Sequence, residues 1–458
     1  MASVGAGDSK YQVDMCRGPV LKQVIVFVIP LIFSGVLQMC FHAADLMVVG
    51  RFASHRALAA VGSTGSLNGL FVTLFIGISV GANVLIARYL GAKDNRAVFY
   101  GVHTAIFFSL AGGTILAILG IIFARPMLGW MDTPEDIFDM ACLYLWILFA
   151  GIPMQMLYNF GSSILRAMGD TKRPFYFLVI AGIINVLLNF FFVLVCRWDV
   201  GGVATATIIS QTVSALLVLR TLVNSRTVCR IWLRRLGIHW KTFWEMMRIG
   251  VPAGFQGSCF AIANIMIQSA LNTFGSLAIA GYTAAGMWEF IGFVVAGAFG
   301  QAATSFVSQN FGGEQYLRIR KIVKCCSLCS FVCLVGFAAC LGLFAKIGLS
   351  FFNEDPEVIR WGLIRFSVML PFFFTCGLQE VVIGALRGLN HIFWPTVIMI
   401  FCVCVFRIFW VGVVFKYFHT MQVLVMSYPV SWTLVILANG FYYGLVVRKL
   451  PRKNMPRS

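Results

Sequence analysis

Charged residues are scarce in this chain. Asp, Glu, Lys and Arg make up 11% of its 458 residues, whereas 60% are hydrophobic, and the mean hydropathy is +0.88. Soluble domains carry about 25% charged residues, so the composition excludes a soluble globular protein. Histidine is also rare, and the six His residues show no spacing typical of a metal site or a nucleophile–base pair. We therefore expect an integral membrane protein that is not an enzyme.

Long apolar runs recur along the whole chain. Each is long enough to cross roughly 30 Å of hydrocarbon as an α-helix. No cleavable signal peptide is expected, because residues 1–19 are polar and the first apolar run is too long for one. The sequence predicts twelve spanning segments, at residues 20–48, 60–89, 97–124, 138–164, 174–196, 202–222, 245–272, 278–309, 322–350, 359–386, 393–416 and 421–447.

Negative charge is the scarcer sign, with 17 acidic against 35 basic residues and a net charge of +18. If the N-terminus is cytoplasmic, 26 of the 35 basic residues fall on the cytoplasmic side. This distribution follows the positive-inside rule, so the charge reflects membrane topology and does not indicate nucleic-acid binding. We predict a multi-pass protein of the plasma (inner) membrane with both termini in the cytoplasm.

The chain contains an internal repeat. Pro30 in "VIPLIFSGVLQ" and Pro252 in "GVPAGFQGS" are 222 positions apart, and "ILRAMGDTKRP" aligns with "ALRGLNHIFWP" at an offset of 221. Two repeats of six helices share one membrane orientation, because each contains an even number of spans. The expected organisation is a cytoplasmic tail at 1–19, an N-lobe at 20–222, a cytoplasmic linker at 223–244, a C-lobe at 245–447 and a basic tail at 448–458.

Only three acidic residues fall well inside the predicted spans: Asp45, Glu289 and Glu380. An ionised carboxylate costs at least about 2.5 kcal/mol at the bilayer centre, so such residues generally face a bundle interior and mark ion or substrate pathways. The alternative for each is a structural ion pair or a carboxyl that stays protonated. The repeat aligns Glu289 and Glu380 with asparagines but Asp45 with Ile267, so the two repeats differ in their ionisable chemistry.

Further polar residues accompany Asp45 in the first repeat. Gln38 precedes it by two turns on the same helix face, and Asn185 and Asn189 share one face of the fifth predicted helix. Thr207 lies in the sixth. A carboxylate with amide and hydroxyl oxygens can form a site for a hard cation or a proton, although each Asn or Thr alone more often serves helix–helix packing.

Arg407 in "CVFRIFWVG" is predicted to be the only cation deep in the membrane, because the other basic residues are assigned to the cytoplasmic side or, like Arg365, to the outside. We expect Arg407 to pair with Glu380 or Glu289, because an isolated guanidinium in hydrocarbon is costly. These three residues are the predicted substrate or coupling residues of the C-lobe. Pro30 removes a backbone hydrogen bond from the first helix and marks a point where that helix can bend.

Four segments resemble a known family: "IPLIFSGVLQMCFHAADLMVVGRF", "GANVLIARYLGAKD", "SSILRAMGDTKRPFYFLVIAGIINVLLNF" and "GALRGLNHIFWP". They are similar to the bacterial branch of the MATE (multidrug and toxic compound extrusion) transporters, and the resemblance covers all twelve predicted helices. It implies an all-α fold of two parallel six-helix lobes forming a V around a central cleft. It also implies export of organic cations in exchange for H⁺ or Na⁺.

The resemblance assigns roles to the residues already singled out. Asp45 matches the carboxylate of the family's N-lobe cation site, and Pro30 matches the proline at which the first helix bends. Some members have a second Asp where this chain has Asn189, so H⁺ and Na⁺ both remain candidates. The companions of Asp45 that the resemblance implies are Gln38, Asn185, Asn189 and Thr207.

The resulting hypothesis is a monomeric antiporter for lipophilic, cationic small molecules, with no cofactor and no metal other than Na⁺ at Asp45. The alternative is a flippase of the same superfamily that moves lipid-linked precursors. A flippase would be expected to line its cleft with several cationic residues, and Arg407 is the only one that the sequence offers.

Overall fold

The computed structural model describes residues 11–52, 54–131 and 133–451, with the backbone alone for residues 55, 58, 66, 68, 70, 261 and 262. The predicted tails at 1–19 and 448–458 therefore lie partly outside the described residues. Within the described part, the regular structure is helical and no β-strand is found. Twelve helices there are long and apolar enough to span a membrane, which confirms the predicted fold class.

Each of the twelve helices overlaps one predicted span. Most extend beyond it by several residues, because polar turns at the ends continue the helix past the apolar segment. The last turn of α5 and two stretches of α11 are π-helical, and a short helix, Ala345–Ser350, precedes α10. The helices are α1 Val20–Phe52, α2 His55–Ala92, α3 Asn95–Trp130, α4 Glu135–Ala167, α5 Lys172–Val195, α6 Asp199–Val223, α7 Trp240–Phe274, α8 Ser276–Gly312, α9 Tyr316–Leu343, α10 Pro356–Gly388, α11 Phe393–Tyr417 and α12 Met421–Lys449.

The ends of the helices preserve the internal repeat. After α2 and α8 the backbone turns through positive φ at Lys93 (59°) and Glu314 (56°), and after α4 and α10 it does so at Gly169 (85°) and Asn390 (66°). Both pairs are 221 positions apart. In all four turns the next amide donates to the carbonyl five residues back, at 2.9–3.1 Å, as in a Schellman motif. The aligned segments "ILRAMGDTKRP" and "ALRGLNHIFWP" therefore contain the ends of two equivalent helices, α4 and α10.

The first compact unit comprises Met1–Asp14 and Ile29–Val251. Its core lies around α4, which makes the most extensive packing contacts in this unit, with α2, α3 and α6. Small residues on these helices allow the close packing. For example, a Cβ on Gly113 of α3 would lie 2.7 Å from the Cα of Pro153 on α4. The fully buried Phe75, Leu145 and Phe160 fill the space between the helices.

The second compact unit comprises Met15–Val28 and Pro252–Ser458. Its core lies where α8 packs on α10, with α9 and α12 alongside. The N-terminal segment joins this unit through specific contacts. The Met15 carbonyl accepts hydrogen bonds from Asn310 Nδ2 (2.9 Å) and Arg318 Nε (3.2 Å), and the Phe27 ring packs edge-on against Phe306 at 5.3 Å.

Two helices are divided between the units at their prolines. The first turns of α1, up to Val28, group with the second unit, and the first turns of α7, up to Val251, group with the first. Pro252 is the first residue after the division in α7, and Pro30 is the second residue after the division in α1. In the organisation expected from the sequence, each helix belongs as a whole to one lobe, either 20–222 or 245–447. A helix of 33 residues is about 50 Å long, so its two ends pack against different neighbours.

The packing of α2 against α7 in the first unit can be tested at two glycines. A Cβ on Gly81 would lie 2.3 Å from the Met246 carbonyl oxygen, and a Cβ on Gly250 would lie 2.4 Å from the Ile78 carbonyl oxygen. Because the opposing atoms are backbone, no side chain can rotate away. We predict that Gly81→Ala and Gly250→Ala each lower the stability by about 1–3 kcal/mol, measured as thermal unfolding of the purified protein in detergent.

The control for this comparison is Gly440→Ala, because a Cβ at Gly440 has no atom within 4 Å. This variant should unfold at or above the temperature of the unmodified protein, because Ala favours a helix over Gly by about 0.5–1 kcal/mol. If Gly250→Ala behaved like the control, the close approach of α2 and α7 would be contradicted.

Candidate cation-binding site

A cavity of about 300 Å³ lies in the first unit and is lined by residues of α1, α2, α4, α5 and α6. Its wall mixes apolar side chains with carboxylate, amide, hydroxyl and imidazole groups. Asp45 of α1 is the one carboxylate among the lining residues, and it makes no ion pair within the described part of the chain. The negative charge of an ionised Asp45 is therefore directed at the cavity without a protein cation to neutralise it.

A chain of hydrogen bonds connects Asp45 to two other helices. Asn189 Nδ2 of α5 donates to Asp45 Oδ1 and to Asn185 Oδ1, the latter at 3.3 Å. Asn185 Nδ2 donates to Thr207 Oγ1 of α6 at 3.4 Å. The structure thus brings together Asp45, Asn185, Asn189 and Thr207, four residues that are up to 162 positions apart in the sequence. The i, i+4 spacing of the two asparagines places both amides on the buried face of α5.

One buried oxygen at this site is left without a donor. Asn189 Oδ1 has no hydrogen-bond partner among the described residues, and its orientation is fixed because the Nδ2 of the same amide donates twice. A buried acceptor left in this state costs about 1–3 kcal/mol. Asn189 is fully buried and is not among the residues that line the cavity, so this oxygen lies behind the carboxylate site and not on the cavity wall.

The other two residues predicted for this region lie further along α1. Gln38 lines the same cavity, two turns before Asp45. Pro30 lies within a continuous α1, where the Ser34 hydroxyl donates to its carbonyl oxygen at 2.7 Å. Bending at Pro30 stays a prediction, and the missing amide hydrogen of proline is the reason for expecting it there.

A close contact holds α1 against α5 next to the site. The ring of Phe41, one turn before Asp45, occupies the space beside Gly182, where a Cβ would lie 1.5 Å from the ring carbon Cζ. Any larger residue at position 182 would displace Phe41. This fit fixes the position of α1 relative to α5, and therefore the position of Asp45 relative to Asn189.

Sequence reasoning missed several polar residues that line the cavity: His42, Tyr144, Gln155 and Gln211. His42 precedes Asp45 by nearly one turn and Gln211 follows Thr207 by one turn, so helical spacing alone could have identified these two. Tyr144 and Gln155 are contributed by α4. No sequence spacing connects that helix to Asp45, and only the packing of the helices brings them there.

In the second unit, Glu289 is fully buried and paired with an arginine that was predicted to lie outside the membrane. Arg365 of α10 donates from Nη2 to Glu289 Oε2 at 2.6 Å and from Nε to both carboxylate oxygens at 3.1 Å. Its guanidinium also lies over the Tyr282 ring, 3.7 Å from the ring centre. The outside assignment of Arg365 was wrong, because α10 begins at Pro356 and carries this residue into the helical core.

The predicted pairing of Arg407 with Glu289 or Glu380 is also wrong. Arg407 is fully buried and donates to Ser431 Oγ from Nε (3.1 Å) and Nη2 (2.9 Å). Its Nη1 reaches Asn264 Oδ1 at 3.4 Å, and its guanidinium lies 4.2 Å from the centre of the Tyr428 ring. Neutral acceptors and an aromatic face thus solvate this cation, and Arg365 already satisfies Glu289.

Glu380 is half-buried where α10 packs closely on α8. A Cβ added to Gly300 of α8 would lie 3.2 Å from the Cβ of Glu380. Glu380 makes no ion pair within the described residues. The three intramembrane acids are therefore in different situations. Asp45 faces a polar cavity, Glu289 is neutralised by Arg365, and Glu380 packs against a neighbouring helix.

The fold and this site define a helical membrane transport protein built from two six-helix repeats. A family model described as MatE matches residues 30–191 and 252–411, once in each repeat, and the two matches begin at Pro30 and Pro252. Because the matches cover more than half of the chain, it belongs to the MATE family, as the resemblance predicted.

Relatives of known name match over nearly their full length. The chain is 27% identical over 440 residues to the probable multidrug resistance protein YoeA of Bacillus subtilis, covering 94% of this chain and 95% of that protein. It is 23% identical over 439 residues to a FAD transporter of Shewanella oneidensis, covering 93% and 94%. Among solved structures, the chain is similar to the outward-facing conformation of a multidrug resistance MATE family transporter of the MOP superfamily. The two superimpose with a TM-score of 0.89 at 21% identity, over 96% of this chain and 99% of that one.

The Glu289–Arg365 pair can be tested by removing one charge and then both. We predict that Glu289→Gln lowers the stability by about 3–5 kcal/mol, because it leaves Arg365 as an uncompensated buried charge. The double variant Glu289→Leu, Arg365→Met should recover most of this loss. The measurement is thermal unfolding in detergent.

Glu357→Gln provides the matched control, since Glu357 pairs with Arg360 at 3.2 Å and both side chains are more than half exposed. Such surface pairs contribute about 0–1 kcal/mol. Equal unfolding temperatures for Glu289→Gln and Glu357→Gln would contradict the stabilising role of the buried pair.

Proposed function

We propose that this protein is a secondary active antiporter that exports small, lipophilic organic cations across the plasma (inner) membrane in exchange for H⁺ or Na⁺. The observation that carries the proposal is the geometry of Asp45. It is a carboxylate that faces a polar cavity, with amide and hydroxyl oxygens beside it and no ion pair to any of the described residues. Several relatives are named multidrug resistance or multidrug export proteins, which supports drug-like substrates.

A single uncompensated carboxylate provides a physical basis for exchange. When Asp45 is ionised, its charge attracts an organic cation to the cavity. Binding of a proton or Na⁺ at Asp45 removes that attraction, so the affinity for the organic cation falls. The two cations thus compete for one charge, and each cycle can exchange one for the other.

The driving forces are large enough for this cycle. One elementary charge moving through 100 mV provides about 2.3 kcal/mol, and a tenfold ion gradient provides about 1.4 kcal/mol. A one-for-one exchange of two monovalent cations moves no net charge, so the contribution of the potential cancels. A tenfold ion gradient then sustains about a tenfold concentration ratio of substrate.

The surroundings of Asp45 suit either coupling ion. A proton requires the carboxylate alone. Na⁺ requires several oxygens, and Asp45, Asn185 and Thr207 offer them from the cavity wall. Asn189 adds no second negative charge, so it distinguishes this site from relatives that have Asp at that position.

The flippase alternative is less well supported by the cationic residues of the second unit. Two buried arginines are present there, Arg365 and Arg407. However, Glu289 neutralises Arg365, and Arg407 is fully buried. Neither presents a free charge to an anionic lipid-linked substrate. Our proposal for the second unit is that Glu289, Arg365 and Arg407 stabilise its core, and that Glu380 remains the candidate for substrate contact.

The orientation and the assembly state are parts of the same proposal. The predicted excess of basic residues on one side of the membrane supports cytoplasmic termini, and the candidate site is built within one unit of a single chain. A monomer therefore contains all the groups that the exchange requires.

The role of Asp45 predicts that Asp45→Asn abolishes active efflux, because the amide keeps the size of the side chain but cannot be ionised. We expect at least about a hundredfold lower rate of ethidium efflux, since the substitution removes a charge interaction of several kcal/mol in a low-dielectric site. The amount of protein in the membrane should be unchanged.

The matched control is Asp139→Asn, which removes an exposed carboxylate paired with Arg125 at 2.8 Å on the surface. This variant should export ethidium at the normal rate. Normal efflux by Asp45→Asn would refute the proposed coupling site.

The coupling ion can be identified by imposing the two gradients separately on proteoliposomes. A pH gradient with no Na⁺ tests the proton, and a Na⁺ gradient at equal pH tests Na⁺. We expect uphill ethidium transport with one of them and none when both are collapsed. Transport that continues without any ion gradient would exclude secondary active antiport.

A further inference from the structure

A second cavity lies in the second unit, away from the family's cation site. It has a volume of about 650 Å³ and is bounded by α9, α10 and α12. One helical face of α9 forms its main wall, with Arg320, Lys324, Ser327 and Phe331 at successive turns. We call this cavity the α9 groove.

The α9 groove is polar at one end and apolar at the other. Arg320 and Lys324 lie near the first turn of α9, and Ser327 follows. Leu328 and Phe331, which come next, are 64% and 39% exposed. From Arg320 to Phe331 the helix rises about 16 Å. The length and the order of these groups match a phospholipid head followed by the first part of its acyl chain.

The polar end carries uncompensated positive charge. Arg320 Nη2 donates to the Val447 carbonyl oxygen of α12 at 3.0 Å, which fixes the guanidinium beside the groove. Lys324 is exposed one turn further along. No acidic residue is among those described as lining the groove. Two cations without a carboxylate favour an anionic group.

The apolar end continues into neighbouring apolar space. The Phe331 ring lies 5.3 Å from the ring of Phe374 on α10. Phe374 in turn lines an adjoining cavity of about 490 Å³, whose other walls include Val335, Leu363 and Leu370. An acyl chain that leaves the α9 groove therefore passes from one apolar surface to another.

We propose that the α9 groove is a binding site for an acidic phospholipid of the leaflet that faces the basic side of the protein. The phosphate lies between Arg320 and Lys324, and an acyl chain packs along Leu328 and Phe331. Basic pockets between transmembrane helices bind anionic head groups in this way. A soluble anion would use the two cations but would have no use for the long apolar wall.

The first experiment measures phospholipid retained by the detergent-purified protein, by native mass spectrometry, after addition of phosphatidylglycerol or phosphatidylcholine. We expect one phosphatidylglycerol to be retained at concentrations where phosphatidylcholine is not. The double variant Arg320→Gln, Lys324→Gln should need roughly tenfold or more phosphatidylglycerol for the same occupancy, since each cation near the membrane contributes about 1 kcal/mol. Equal retention of both lipids, or undiminished retention by the double variant, would overturn the proposal.

The matched control is Lys321→Gln. Lys321 lies on the same turn of α9 and is exposed, but it is not among the residues that line the groove. It should retain phosphatidylglycerol like the unmodified protein, although it loses the same charge. If Lys321→Gln reduced retention as much as Arg320→Gln or Lys324→Gln, general surface charge would explain the binding and the specific site would be refuted.

A second variant distinguishes a lipid from a free anion. Leu378→Trp adds bulk from α10, one turn from the Phe374 that contacts Phe331, and leaves both cations in place. It should reduce phosphatidylglycerol retention, whereas inorganic phosphate should not compete with the lipid in the unmodified protein. Thermal unfolding without added lipid checks that the variants are folded. Effective competition by phosphate, or normal lipid retention by a folded Leu378→Trp protein, would show that the apolar wall does not take part.

Discussion

The cost of an ionised side chain away from water is the constraint on which the rest of this structure depends. The chain meets it in three ways. Asp45 faces a polar cavity and accepts a hydrogen bond from Asn189, Glu289 is paired with Arg365, and Arg407 is solvated by neutral oxygens and an aromatic ring. Only the first arrangement leaves a charge that an external cation can neutralise. The electrostatic difference between these environments, more than the presence of a carboxylate, distinguishes a candidate coupling site from a structural ion pair.

The two repeats share a backbone plan but differ in this chemistry. Equivalent helices end in the same left-handed turns at Lys93 and Glu314, and the family match begins at equivalent prolines. At the position equivalent to Asp45, however, the second repeat has the fully buried Ile267. A duplicated scaffold therefore supplies two similar helical bundles, and single side chains decide which of them contains a cavity with a free carboxylate.

Much of the fold and part of the site could be predicted from the sequence, because the relevant signals are local. Apolar length predicts each span, and the i, i+4 spacing of Asn185 and Asn189 predicts a shared face. The partners of Arg365 and Arg407 could not be predicted in this way. A sequence gives the position of a charge along a helix but not the direction in which the helix faces its neighbours. The division of α1 between two compact units has the same origin, since it depends on contacts such as that of Met15 with Asn310.

Because α1 is divided between the two compact units, cation binding at Asp45 in the first unit can be coupled to the second through this helix. Asp45 lies in the part of α1 that belongs to the first unit, whereas Val20–Val28 at the start of the same helix belongs to the second. A change in the charge of Asp45 alters its hydrogen bond with Asn189 and so acts on a helix whose two parts belong to different units. Pro30, at the division, lacks the amide hydrogen that would oppose bending there. Our proposal is that a cation bound within one unit shifts the equilibrium between two states of α1, provided that it binds one state more tightly than the other.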